Sequence, residues 1–177
     1  MLLKNALGSF IAILFLSSNF ALSADSSAAK GFFALNATDI AGKKVEMSKY
    51  KGQTLLVVNT ASKCGYTPQL KDLEEIYQKY KSKGFVVLAF PSNDFKQEPN
   101  EGAACQSVSE KEYGTTFPFF ERIKVTGDDK HPIYKYLTDQ KPGAIFKEVA
   151  WNFEKFLVNK EGQVIERWTS KAKPMSQ

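Results

Sequence analysis

Two near-continuous apolar runs stand out along the chain. Residues 54–59 (Thr-Leu-Leu-Val-Val-Asn) and 85–90 (Phe-Val-Val-Leu-Ala-Phe) are rich in β-branched and aromatic side chains. Such runs predict strands buried on both faces. Between them Leu70, Leu73, Ile76, Tyr77 and Tyr80 recur three and four residues apart, which predicts a helix over 69–83, ended by Gly84. A strand, helix and strand joined by a crossover of this length form a parallel, right-handed unit. Residues 33–39 and 44–47 predict a short hairpin turned at Ala41-Gly42, and Ser48 caps a helical turn before Gly52. Beyond Pro91 comes a polar loop, 92–100, then a helix to Tyr113 and a third extended piece within 117–125. Pro132 opens a helix that places Ile133, Tyr134 and Leu137 on one face. Residues 151–158 and 164–168 form a last hairpin around a turn at 159–162. The whole predicts an α/β domain, a mixed sheet flanked by helices on both faces, without internal repeats.

The amino-terminal pattern is different. Lys4 precedes an apolar run over 6–16, followed by small residues to Ala24. That is the order of a secretory signal. An uncleaved anchor is the alternative, but the run falls short of the roughly 20 residues a spanning helix needs. The expected organisation is a signal peptide at 1–24, a flexible leader at 25–32 and one folded domain at 33–177. The protein would be exported, periplasmic or secreted, with no stable membrane insertion after cleavage. The net charge is +5, and the segment to be removed carries only Lys4. The remaining excess is scattered, without a basic run interleaved with aromatics, so no nucleic-acid partner is implied. Two cysteines in an oxidising compartment suggest a disulfide, and a plain staple between Cys64 and Cys105 is one reading of them.

The position of Cys64 suggests another. It follows the first apolar strand and sits in the turn at or just before the first residues of the next helix. Free amide groups there favour a thiolate, the nucleophilic form of cysteine. Thr67 stands where a Cys-x-x-Cys exchanger has its second cysteine, and Pro68 where a Cys-x-x-x-Cys copper chaperone has its second ligand. Ala61 and Val57 depart from the common peroxiredoxin pattern. His131 is the sole histidine, in a loop ahead of a helix, and two cysteines with one histidine cannot supply a four-ligand zinc site.

Three segments complete the picture: Val58-Asn-Thr-Ala-Ser-Lys-Cys-Gly65, Ala89-Phe-Pro-Ser-Asn-Asp-Phe-Lys-Gln-Glu-Pro99 and Trp151-Asn-Phe-Glu-Lys-Phe156. In this order and spacing, from about residue 32 to 168, the chain resembles the glutathione peroxidase family in its cysteine-containing form. The resemblance implies a thioredoxin-like fold and thiol-dependent reduction of hydrogen peroxide and of organic or lipid hydroperoxides, with no cofactor and no metal. It makes Cys64 the peroxidatic residue and Gln97, Trp151 and Asn152 its polar partners. These are an indole and two amides, donors that do not titrate near neutrality and can stabilise a thiolate and a developing oxyanion. The resulting sulfenic acid needs a second thiol. Related chains carry it twelve residues after the glutamine, which is Ser109 here. Cys105 lies one turn earlier on the same helix face and is the candidate resolving cysteine. The family pattern Cys-Asn-Gln-Phe reads Ser92-Asn-Asp-Phe95 here, and the loop to Gln97 is one residue shorter. The family's C-terminal helix is expected to be missing, since the chain ends at Pro174-Met-Ser-Gln177. The short segment between Tyr134 and Trp151 implies a monomer, and a resolving cysteine implies a thioredoxin-like reductant, with glutathione as the other possibility. The rival readings are a thiol–disulfide oxidoreductase, a copper-binding chaperone using Cys64 and His131, and a structural domain stapled through its cysteines.

Overall fold

The computed structural model describes residues 31–176; the expected signal peptide and most of the leader lie outside them. A hairpin of β1 (Asn36–Thr38) and β2 (Lys44–Glu46) comes first. Asp39 shapes its turn, its Oδ1 accepting from the backbone N–H groups of Ala41 and Lys43 at 2.9 and 3.0 Å. Gly42 takes φ +78° there, a conformation that favours glycine. The expected strand from residue 33 begins later, because Phe32–Ala34 close a 3-10 turn that buries Phe32 completely.

The central unit agrees with the hydrophobic pattern. Strand β3 (Thr54–Thr60), helix α1 (Gln69–Tyr80) and strand β4 (Phe85–Pro91) follow one another, and β3 and β4 pair in parallel. Helix α1 passes into a 3-10 turn at Lys81–Lys83, closed by Gly84 at φ +78°. Helices α2 (Ala103–Tyr113) and α3 (Pro132–Gln140) precede the antiparallel hairpin of β5 (Lys155–Val158) and β6 (Val164–Trp168). The sheet order is β4-β3-β5-β6, with β5 antiparallel to β3. A parallel β-α-β unit with an antiparallel hairpin added to its first strand is the thioredoxin-like arrangement.

Alternate residues of β3 feed two cores, as the two-residue period of a strand requires. Leu55 and Val57 join Phe90, Phe120, Tyr134, Leu137 and Phe156. Leu56 and Val58 join Leu70, Leu73, Phe117, Phe153 and Cys64. Burying one such aliphatic side chain contributes about 1.5–3 kcal/mol. The expected extended piece within 117–125 is present as isolated bridges and not as a strand with a ladder. Phe119 bridges to Ala89 of β4, and Phe120 bridges to Asp39 at the end of the β1–β2 hairpin. Pro118 explains this: its carbonyl accepts from Ala89 N–H at 3.0 Å, but it has no N–H to extend a ladder. Beyond β6 the described residues end in a 3-10 turn, Pro174–Ser176, against α1.

Candidate active site

Three loops meet at the C-terminal ends of β3 and β4. The first carries Cys64, which is 7% exposed. The first residue of α1 is Gln69, five positions further on, so Cys64 stands in a separate turn ahead of the helix. The donor that reaches its sulfur is a turn amide: Tyr66 N–H points at Sγ from 3.4 Å. A fixed N–H dipole favours negative charge on sulfur. The Thr67 hydroxyl accepts from Cys64 N–H at 3.0 Å and lies 2.9 and 2.7 Å from the carbonyls of Ala61 and Cys64. Where an exchanger has its second sulfur, this chain has the fastening of its loop.

The second loop, 92–100, brings Gln97 alongside. Lys63 N–H donates to Gln97 O at 2.9 Å. Lys96, just before Gln97, adopts φ +58°, a turn that a non-glycine residue enters only under local constraint. Asp94, a departure from the family pattern, holds the loop from outside: its Oδ2 accepts from Val125 N–H and Thr126 N–H at 2.6 and 2.9 Å.

The third loop carries Trp151 and Asn152. These residues were expected to open a strand, but they form a turn. Phe153 takes φ +64°, and the strand starts at Lys155. Asn59 imposes that shape from the end of β3. Its Nδ2 donates to Trp151 O at 3.0 Å, its Oδ1 accepts from Glu154 N–H at 3.0 Å, and its carbonyl accepts from Phe153 N–H at 2.6 Å. Asn152 is fully buried, and its Nδ2 donates to Gln97 Oε1 at 2.8 Å. This bond occupies the oxygen of the Gln97 amide and leaves its NH2 end as the donor. Trp151 is 41% exposed, its ring tilted against Phe95 with centroids 5.1 Å apart, so it is no core aromatic. Glu154 pairs with Arg167 at 2.8 Å, both nearly buried. The Arg167 guanidinium also donates to the carbonyls of Lys141, Lys147 and Glu148, which ties that segment to β6.

Cys105 sits in the first turn of α2, 1% exposed. It is not bonded to Cys64; both thiols are free, so the structure holds no staple. Burial first, then the charge of Glu98, pushes the Cys105 thiol up to about 12, with Arg122 acting in the opposite direction. Ser109 shares its buried face and donates to Cys105 O at 3.3 Å. His131 caps α3, its Nδ1 accepting from Ile133 N–H at 3.3 Å, and burial lowers its pKa.

Sequence reasoning overlooked Asn59, Glu98 and Arg122. The one available signal was a polar residue ending each apolar or motif run, Asn59 after four apolar residues and Glu98 beside Gln97. Glu98 is 2% exposed. Its carboxylate accepts from Ser62 N–H at 2.8 Å, from Ser62 Oγ at 2.9 Å and from Asn100 N–H at 3.1 Å.

The family model described as glutathione peroxidase matches residues 32–138, a span that holds Cys64, Gln97 and Cys105 and stops before Trp151. A glutathione peroxidase-like peroxiredoxin of Schizosaccharomyces pombe is 49% identical over 144 residues, 81% of this chain and 91% of its own. A hydroperoxy fatty acid reductase of Synechocystis sp. is 42% identical over 149 residues, 80% of this chain and 87% of its own. Among solved structures, Trgpx in its apo form superposes with a TM-score of 0.69 at 44% identity, over 84% of this chain and 90% of that one.

Proposed function

The chain belongs to the glutathione peroxidase family and is a thiol peroxidase, and on that premise we propose that Cys64 is its peroxidatic residue. The thiolate attacks the near oxygen of a hydroperoxide. An S–O bond forms, the O–O bond breaks, and the departing oxygen takes a proton to leave as water or an alcohol. Gln97, Trp151 and Asn152 supply neutral donors to sulfur and to the departing oxygen. The observation that carries this reading is the Asn152–Gln97 hydrogen bond of 2.8 Å. It joins two loops distant in sequence, one of which is bonded to Lys63, the neighbour of Cys64.

Cys105 resolves the sulfenic acid. Its sulfur attacks Cys64 Sγ, the S–S bond forms as the S–O bond breaks, and hydroxide leaves with the thiol proton as water. A thioredoxin-like dithiol, or glutathione, returns the disulfide to two thiols. The substrates are hydrogen peroxide and organic or lipid hydroperoxides. Exposed apolar side chains support the larger ones: Trp151 itself, and Ile145 at 84% and Phe146 at 64%, which line a cavity together with Ala150. A cavity of about 500 Å³ lined by Tyr66, Trp151 and Lys171 opens beside the Cys64 loop. The protein acts as an exported monomer.

The test is to mix reduced protein with one equivalent of hydrogen peroxide and map cysteine products by mass spectrometry over time. One added oxygen on Cys64, followed by a 64–105 disulfide, is the expected sequence. Oxidation confined to Cys105 would overturn the assignment.

A further inference from the structure

The loop of Cys64 and the segment leading into the Cys105 helix are tied to one buried carboxylate. Glu98 Oε2 accepts from Ser62 N–H at 2.8 Å, and its Oε1 accepts from Ser62 Oγ at 2.9 Å and from Asn100 N–H and Nδ2 at 3.1 Å. Asn100 Nδ2 also reaches Ser62 Oγ at 3.0 Å. Ser62 lies two residues before Cys64, and Asn100 lies three residues before the start of α2. Arg122 secures the same corner. It donates to the carbonyls of Glu98 and Asn100 at 3.2 Å and pairs with Glu101.

Resting on the reading that Cys105 resolves Cys64, we infer that Glu98 is a positioning residue that acts as a latch between the two cysteines. With the latch closed, the Cys64 loop is held for peroxide attack and the first turn of α2 is held shut over Cys105. Opening it frees Cys105 to move, and this motion precedes the disulfide.

Three observations support the latch. A carboxylate buried to this degree carries a large desolvation cost that only a full set of donors offsets, and Glu98 has four donor contacts from Ser62 and Asn100. Those donors come from the Cys64 loop and from the segment leading into α2, whose first turn holds Cys105. The negative charge also helps keep Cys105 protonated and unreactive while the latch is closed. Gln97 is held by Asn152 Nδ2 on its side chain and by Lys63 N–H on its carbonyl, contacts that involve neither Ser62 nor Asn100, so the latch can open without dismantling the Gln97–Asn152 pair.

The test separates the two chemical steps. Wild type, Asn100→Ala and Glu98→Gln are fully reduced and mixed with one equivalent of hydrogen peroxide in stopped flow. Sulfenic acid formation and disulfide formation are followed as separate phases. Asn100→Ala removes both Nδ2 contacts, to Glu98 Oε1 and to Ser62 Oγ, and leaves the backbone donors of Ser62 and Asn100 on the carboxylate. Disulfide formation should accelerate about tenfold in this variant, the effect of losing one hydrogen bond to a charged group, while sulfenic acid formation stays within about twofold. Glu98→Gln should accelerate the disulfide phase further, since its NH2 end meets N–H donors. A merely structural role would slow both phases together. A disulfide phase unchanged or slower in both variants would overturn the latch. The reading on which it rests can fail separately, if wild type forms no 64–105 disulfide. Alkylation of Cys105 by monobromobimane in reduced protein then decides: faster labelling in Asn100→Ala supports the latch, and equal labelling refutes it.

Discussion

Asn59 and Trp151 are 92 positions apart, yet Asn59 Nδ2 donates to Trp151 O at 3.0 Å. The same side chain accepts from Glu154 N–H, so one buried amide at the end of β3 dictates the turn that presents Trp151 and Asn152. Asn59→Leu keeps the branched shape of the side chain and removes both bonds. The two backbone groups are then buried without partners, each costing about 1–3 kcal/mol. A drop in unfolding free energy of about 2–6 kcal/mol is expected in urea titration, together with a peroxide-oxidation rate at least tenfold lower. A variant with wild-type stability and rate would mean the turn holds itself.

Cys64→Ser should abolish hydroperoxide turnover and leave far-UV circular dichroism unchanged. Among the described residues Cys64 has the backbone donor at its sulfur, whereas Cys105 is held as a buried thiol. Turnover near the wild-type rate in coupled assays with thioredoxin or glutathione would refute the peroxidatic assignment.

Trp151→Phe and Asn152→Ala should slow sulfenic acid formation without stopping it. Losing one preorganised donor that faces developing charge costs about 3 kcal/mol, roughly a hundredfold in rate. Gln97→Ala combined with Asn152→Ala should cost less than the sum of the single changes, because the two amides are bonded to each other. Strict additivity in stopped flow would show that they act independently.

Cys105→Ser should retain the first oxidation and accumulate sulfenic acid on Cys64, detectable as a dimedone adduct. Turnover with a thioredoxin-like reductant should stall. If this variant cycles at the wild-type rate, an external thiol resolves Cys64 directly.

Lys155 offers a pH test of stability. It is 1% exposed, its Nζ donates to Ala172 O at 2.7 Å, and burial lowers its pKa to about 8 from 10.5. Below about 8 the lysine is protonated in both folded and unfolded chains, and the folded state carries the full cost of the buried charge. As pH rises from about 8 to 10.5, the folded amine is neutral while the unfolded one still binds its proton. The folded state therefore gains stability over that window, by about 2–3 kcal/mol. Lys155→Met should lose this gain, so the difference between the two proteins in urea midpoint should change with pH across it. A constant difference would show that the amine does not titrate there.

The central β-α-β unit was legible because burial on both faces and a helical period are local properties of sequence. The place of Cys64, in a turn between an apolar strand and a helix, was legible as well. What stayed hidden depends on backbone shape or on remote partners. The turns at Lys96 and Phe153 have positive φ without glycine, so nothing in residue type announces them. Residues 117–125 have the composition of a strand, but Pro118 limits them to isolated bridges. Glu98 stands in plain view beside Gln97, yet its meaning comes from Ser62, 36 positions away.

Thr67 fastens the Cys64 loop with a hydroxyl where related folds keep a second sulfur, and oxygen in that place cannot accept the oxidation. In the proposed cycle the oxidising equivalent has no exit inside its own loop and must wait for a distant helix to arrive. The lifetime of the sulfenic acid is then a mechanical quantity, set by how often α2 opens and not by thiol chemistry. Whatever stiffens that corner of the protein prolongs the interval in which a second peroxide can drive Cys64 to the sulfinic acid. Tolerance of high peroxide would thus be written in the looseness of one helix end, and could be tuned there without touching the residues that do the chemistry.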